Sequence, residues 1–361
     1  MSETETDSDF EKQAFTKAYS AHESTVALKE AGVEVVVDYE PTQLSTIMLF
    51  FTMRGTVFTS PALWVEQFVI LALFVGMAAA VHHFGIHDEA TSKEAGSFAD
   101  KMATLAAFLL GFYTSLTVSR WWRLRTDGVG NIWSSASQLS LFISQFVTRD
   151  PQILGALRRY ARGSLSLVFL KRRYGADFVR KLDKLVDDDI FTLDEVEQLR
   201  AYNSNLAESV WTWVAHIVAD LYKKGQIKSE MMLTFLMERV NLGRGGAALI
   251  GAQMGTPIPL PYVHFIGFLV KIHNIILGLS YGYMMGTTWK MDHFSVSQVF
   301  LTLKVFFIPL LYNAILLVNA SLADPFSGEV NDFPWQKYQK GIESDGFSYI
   351  QAGEHLPMWM K

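Results

Sequence analysis

Residues 108–122 read FLLGFYTSLTVSRWW, a run that indicates a helix crossing a membrane. Thr104, Phe108 and Phe112 recur at every fourth position and therefore share one stripe of this helix. One interpretation is that the two phenylalanines pack against a neighbouring helix. The other is a ring of such helices around an axis, in which the stripe forms a hydrophobic constriction that gates by dewetting.

Apolar residues outside this stretch gather into three more blocks that are long enough to cross a membrane, which takes about 20 largely apolar residues. The predicted spans are residues 61–84, 101–122, 257–285 and 296–322. Of the 361 residues, 50% are hydrophobic and only 19% are charged, against about 25% charged residues in soluble domains. The sequence therefore predicts an all-α, multi-pass integral membrane protein with about four transmembrane helices. The pattern fits a plasma membrane and an organellar membrane such as the thylakoid.

The chain divides into five predicted parts. These are a polar N-terminal segment (1–44), the first two spans (45–122), a cytosolic helical region (123–256), the last two spans (257–322) and a C-terminal tail (323–361). Six helices are expected in the helical region, at residues 132–147, 151–173, 176–186, 193–203, 210–224 and 229–248. Thr192 and Glu195 form a predicted capping box. Over half of the lysines and arginines fall in this region, which indicates that it and both termini are cytosolic.

Composition and motifs exclude several classes of function. The chain has no cysteine, which excludes disulfides, cysteine-based zinc sites and thiol nucleophiles. The formal net charge of -5 argues against a nucleic-acid-binding protein, which would carry a basic bias. The sequence contains no phosphate-binding glycine loop, HExxH motif or nucleophile elbow. We therefore predict that the protein is not an enzyme and does not bind nucleic acid.

The second-span stretch FxLGFYxxLxVxRWW closely resembles a signature of the bestrophin family of anion channels. Three further segments resemble motifs of that family in the same order, and together the four cover about residues 45–335. They are Arg54-Gly55 before the first span, Ile258-Pro259-Leu260-Pro261-Tyr262 at the third, and the acidic segment from Asp324 to Phe333 after the fourth.

The resemblance implies a homopentamer of these subunits in the lipid bilayer around one axial pore. Thr104, Phe108 and Phe112 then correspond to the family's pore neck, with Thr104 polar where a small apolar residue is common. A second cytosolic constriction, the aperture, aligns with Met231.

The resemblance also implies a calcium-binding segment after the fourth span. In it, Glu329 and Asp332 match carboxylate ligands, and Asp324 matches a position that contributes a backbone oxygen. The family's run of acids is thinner here. Because calcium needs about 6–8 oxygen ligands, backbone carbonyls and water would have to complete the set. The implied function is passive conduction of chloride or bicarbonate, gated at the neck and dependent on calcium.

Charged residues inside the spans need an explanation, because burying a charge in lipid is costly. Glu66 and Lys304 are expected to pair with a neighbouring helix or to reach an interface. Lys271 lies deeper, and its ammonium group is a candidate for attracting anions to the pore. Two other functions fit the same residues. One is a non-conducting membrane scaffold or binding protein, and the other is an anion transporter.

Overall fold

The computed structural model describes residues 49, 53, 55–86, 88–202, 204–289, 295–329 and 331–360. The expectations for residues 1–44 and for Arg54 lie outside this described part. Helices make up nearly all of it, and no strand occurs in these ranges. The helices are α1 Pro61–Phe84, α2 Glu89–Arg123, α3 Gly130–Phe146, α4 Pro151–Tyr174, α5 Lys184–Asp187, α6 Leu193–Ala201, α7 Leu206–Lys223, α8 Glu230–Gly255, α9 Leu260–Thr288, α10 Val296–Leu322 and α11 Trp335–Glu354.

The chain forms two compact units. The membrane unit consists of the described residues up to Asp127 and those between Ile250 and Pro325. The helical unit consists of the described residues of Gly128–Leu249 and Phe326–Lys361. Four helical stretches are long and apolar enough to span a membrane, and they include α1, α2, α9 and α10. The protein is therefore an integral membrane protein. The predicted first and fourth spans are confirmed at both ends, and the third is confirmed with its helix shifted to Leu260–Thr288.

The second span begins earlier than the sequence predicts. The predicted span begins at residue 101, but α2 already starts at Glu89. The Asp88 side chain caps it by accepting hydrogen bonds from the Ala90 amide (3.0 Å) and the Thr91 hydroxyl. Helix α2 has 35 residues and is about 52 Å long, while a hydrocarbon core is about 30 Å thick. The polar first turns of α2 therefore extend beyond the lipid tails.

Close packing of α9 on α1 organises the membrane unit. Gly278, Gly282 and Gly286 follow each other at every fourth position of α9 and face α1. A Cβ atom on Gly282 would lie 2.5 Å from the Phe74 carbonyl oxygen, and one on Gly286 would lie 2.6 Å from Val81 Cβ. Only glycine allows these backbones to come so close, which is the usual role of small residues between membrane helices.

A proline inside α10 is compensated by a side chain of α1. Pro309 has no N–H and so cannot donate to the carbonyl oxygen of Val305, four residues earlier. The Gln67 side-chain amide donates to that oxygen instead, at 3.2 Å. Gln67 is buried, and its hydrogen bond satisfies a carbonyl that would otherwise lack a partner in an apolar environment.

The helical unit differs from its predicted helices at several places: α7 begins four residues earlier than predicted, and α8 ends seven residues later. The single helix expected at residues 176–186 is wrong, because a 3-10 helix, Gly175–Lys181, is followed by the one-turn helix α5. The sequence predicts a tail at residues 323–361 without assigning it a helix, and the structure shows that it contains the 20-residue helix α11. Helix α11 packs against α3 and α4, where Trp133 Nε1 donates to the Asp345 carboxylate at 2.6 Å.

The predicted capping box at the start of α6 is confirmed. The Thr192 hydroxyl accepts from the Glu195 amide at 3.3 Å, and the Glu195 carboxylate accepts from the Thr192 amide at 2.8 Å. Glu195 also accepts hydrogen bonds from Arg159 and from the Tyr160 hydroxyl. Burial and the nearby Glu195 carboxylate raise the pKa of Tyr160 to about 12. Glu195 thus ties α6 to α4.

Candidate pore-lining site

The phenylalanine stripe of α2 lies on an exposed face. Phe108 is 62% exposed and Phe112 is 57% exposed, and their rings meet edge to face with centroids 4.8 Å apart. Thr104 lies one turn earlier, and its hydroxyl donates to the Asp100 carbonyl oxygen at 3.1 Å. The three predicted neck residues therefore form one continuous exposed strip.

The opposite face of α2 is buried against α9. Ala106, Leu110 and Tyr113 are buried, and they form one core cluster with Ile266 and Val270 of α9. A helix with one face packed against the rest of its own chain presents the other face outward. Within the described part of the chain, Phe108 and Phe112 make their ring contact only with each other.

Met231, the predicted aperture residue, is the second residue of α8 in the helical unit. Its side chain is 82% exposed, so the structure leaves it available to line a passage. An unbranched thioether would give such a passage apolar and adaptable walls.

The acidic segment after α10 folds around one of its own carboxylates. Asp332 is buried, and its Oδ2 atom accepts hydrogen bonds from the Ser327 hydroxyl (2.8 Å), the Gly328 amide (2.6 Å) and the Glu329 amide (2.9 Å). Gly328 has a φ of +95°, a conformation that L side chains rarely adopt. Asp332 therefore determines the shape of this loop.

The described residues give calcium few ligands at this segment. The Glu329 side chain is exposed, whereas one oxygen of Asp332 already accepts three hydrogen bonds. Asp324 belongs to the membrane unit, and the other two acids belong to the helical unit. Among the described residues, no group of three or more histidine, cysteine or acidic side chains could hold a metal. These residues do not fit a carboxylate-rich calcium site by themselves, and calcium binding stays a prediction.

We expect Asp332→Ala to lower the thermal unfolding temperature by several degrees, with calcium and with a chelator. The substitution removes the acceptor of three hydrogen bonds, and bonds to a charged group are worth about 1.5–3 kcal/mol. Glu329→Ala is the matched control and should leave the unfolding temperature measured with a chelator unchanged. Differential scanning fluorimetry measures both. An equal drop in unfolding temperature in the two variants would contradict the role of Asp332 in shaping the loop. If calcium still stabilises the protein after both substitutions, these carboxylates are not its ligands.

Lys271 is part of a polar network between three membrane helices. Its ammonium group forms an ion pair with Glu66 of α1 and donates to the Asn313 side-chain oxygen of α10 at 3.1 Å. Asn274 donates to the same oxygen at 3.1 Å, and the buried His273 ring lies 3.1 Å from Asn274 Oδ1. The expected pairing of Glu66 with a neighbouring helix is confirmed. Lys271 therefore has a compensating negative charge, and its role in attracting anions stays a prediction.

Residues 36–338, most of the chain, match the family described as bestrophin, RFP-TM, chloride channel. The chain belongs to the bestrophin family. Bestrophin-2 of Mus musculus is 24% identical over 301 residues, which cover 79% of this chain and 56% of the mouse protein. Human bestrophin-2a is 22% identical over 306 residues, with the same shares covered. The chain thus spans little more than half the length of these curated relatives.

Solved structures show the same bestrophin fold. A variant of a bacterial bestrophin homologue from Klebsiella pneumoniae superposes with a TM-score of 0.65 at 13% sequence identity. The match covers 79% of this chain and 98% of the bacterial chain. A second structure of the Klebsiella pneumoniae homologue gives a TM-score of 0.64 at 13% identity, covering 80% of this chain and 98% of the other. The resemblance noted in the sequence is confirmed at the level of the family and the fold.

Proposed function

We propose that this bestrophin is one subunit of a homopentameric channel that passes chloride and other small anions passively down their electrochemical gradient. One observation carries the proposal. The Phe108–Phe112 pair is exposed on one face of α2, whereas the other face is buried against α9. An exposed apolar face on a membrane helix has one of two roles: it meets lipid or a neighbouring subunit, or it lines a passage. The family's description as a chloride channel supports the second of these.

A ring of five α2 helices would give the pore its gate. Rings of Phe108 and Phe112 leave no polar group to hold water, so the neck can dewet and close. When the neck is wet, aromatic ring edges face the axis, and these edges carry partial positive charge. Such edges stabilise weakly hydrated anions electrostatically, whereas they offer alkali cations nothing that replaces their hydration shells.

Two finer features belong to the same proposal. Met231 forms a second apolar constriction on the cytosolic side, and a wide polar vestibule would admit bicarbonate as well as chloride. Calcium dependence, if the acidic segment takes part in it, requires ligands beyond Glu329 and Asp332.

Recording from the purified chain in planar lipid bilayers tests the proposal. A channel gives unitary currents from the protein alone, with a reversal potential that follows the chloride gradient. A scaffold gives no current, and a transporter gives flux into vesicles without unitary events, so either result would contradict the proposal. Reversal potentials in chloride and in bicarbonate, each with and without calcium, then rank the permeating anions.

A further inference from the structure

A cavity of about 520 Å³ lies in the membrane unit between the first half of α2, the end of α9 and the start of α10. Three lysines line it: Lys93 and Lys101 from α2, and Lys304 from α10. Asp100 is its one acidic lining residue. The lining side chains therefore carry two more positive charges than negative ones.

Lys304 is the lysine of this cavity that requires an explanation. It is the ninth residue of α10, about 12 Å along the helix, with phenylalanine, leucine and valine around it in sequence. Its ammonium group lies 5.2 Å from the centroid of the Tyr281 ring. Within the described ranges, no carboxylate forms an ion pair with Lys304, unlike Lys271 with Glu66. An ammonium group at this depth needs a polar cavity or water, and the cavity provides that environment.

The Tyr281 ring is itself held in place. Its hydroxyl donates to Asp100 Oδ1 at 2.8 Å, so one oxygen of the only lining carboxylate is already engaged. The ring fixes the ammonium group of Lys304 by a cation–π contact and leaves its positive charge uncompensated. The cavity is thus a preorganised positive site within the membrane unit.

The cavity is continuous with the proposed neck through one residue. Thr104 lines the cavity and also lies on the exposed stripe, one helical turn before Phe108. An anion held beside Thr104 would therefore stand next to the phenylalanine rings. The lysines lie at the end of the unit where α1 connects to α2 and α9 to α10, which is the extracytosolic end in the predicted orientation.

We infer that Lys93, Lys101 and Lys304 form a binding site for a small hydrated inorganic anion at the extracytosolic entrance of the neck. The inference rests on the proposed channel function and adds to it the site that supplies the neck with anions. The field of the three ammonium groups raises the local anion concentration, and salt screens that effect.

The test uses the absence of cysteine from the chain, which makes any introduced thiol the single reactive one. Lys304→Cys removes the charge. At about 0.01 M salt, where the Debye length is about 30 Å, we expect the unitary chloride conductance of this variant to fall about two- to threefold. At about 1 M salt, where the Debye length is about 3 Å, its conductance should approach that of the parent. Aminoethyl methanethiosulfonate, applied from the cavity side, restores an ammonium group and should restore the conductance. Sulfonatoethyl methanethiosulfonate adds a negative charge and should lower the conductance further.

Two further variants separate charge from structure. Asp100→Asn removes the negative charge but keeps an oxygen that accepts from Tyr281, so conductance at low salt should rise. Lys337→Cys on α11 is the matched control, with the reagents applied from the side of the helical unit, because this exposed lysine lies outside the cavity, and its modification should leave conductance unchanged. Recordings in purely phosphatidylcholine bilayers keep acidic lipid headgroups out of the site.

Each outcome has one meaning. Opposite effects of the two reagents at Lys304→Cys support the anion site. If the parent conducts and neither reagent changes the conductance of Lys304→Cys, the anion site is wrong. The proposed channel function then remains. If the effects appear only in bilayers with acidic lipid, the site holds a headgroup phosphate and the inference is wrong. A parent without unitary anion current overturns both proposals.

Discussion

Replacing Phe108 and Phe112 together by alanine is expected to give a channel that rarely closes. The two rings are the apolar bulk of the proposed neck, and without them water can fill the passage continuously. We expect closed dwell times to shorten at least about tenfold, which corresponds to about 1.4 kcal/mol of lost closed-state stability. Single-channel recording measures the dwell times, and crosslinking before purification checks that the oligomer is retained.

Phe300→Ala with Phe307→Ala is the matched control for this experiment. Both residues are exposed phenylalanines of another membrane helix, α10, and they lie seven positions apart on one face. The control removes a similar apolar volume away from α2 and should gate like the parent. If the Phe108/Phe112 variant also gates like the parent while its oligomer is intact, the neck does not lie at these residues.

Breaking the ion pair of Lys271 should have the other large effect. Lys271→Met leaves the Glu66 carboxylate without its partner inside the membrane unit. Glu66 is the sixth residue of α1 and its side chain is 43% exposed, so its unpaired charge costs less than the about 2.5–3.5 kcal/mol of a charge at the centre of a span. We therefore expect less assembled protein and a lower unfolding temperature, measured by size-exclusion chromatography and fluorimetry.

A double variant distinguishes pairing from anion attraction. Glu66→Gln combined with Lys271→Met removes both charges and should recover most of the lost assembly, and Lys271→Arg should resemble the parent. If Lys271 also attracts anions, assembled Lys271→Met will conduct less at low chloride and match the parent at high chloride. Equal conductance of assembled protein at every chloride concentration would remove Lys271 from the permeation path. No recovery in the double variant would contradict the structural role of the pair.

The sequence predicts the spans well because long apolar runs dominate them. The ends of α1 and α10 are found correctly, since Pro61 marks one start and the apolar run of the other begins at Val296. The start of α2 is missed because residues 89–100 are polar and resemble a loop. Their glutamate, alanine and lysine content favours a helix, and Asp88 supplies the cap.

The missed start of α2 also hides the candidate anion site. Lys93, Lys101 and Thr104 share one face only if the residues between them are helical. A loop at these positions would not bring the three residues together. The helical periodicity of these three positions could have revealed the face. The partner of Lys271 could not be found in this way, because Glu66 lies 205 residues away and no local pattern encodes such a pairing.

The bond between Gln67 and the Val305 carbonyl makes two distant positions dependent on each other. A descendant chain that lost Pro309 would regain a helical N–H that competes with the buried Gln67 amide for that carbonyl. A chain that lost Gln67 first would leave the carbonyl of the buried Val305 without a hydrogen-bond donor. Either single step is unfavourable, so positions 67 and 309 should change together over evolutionary time, and a designer who straightens α10 must also replace the glutamine.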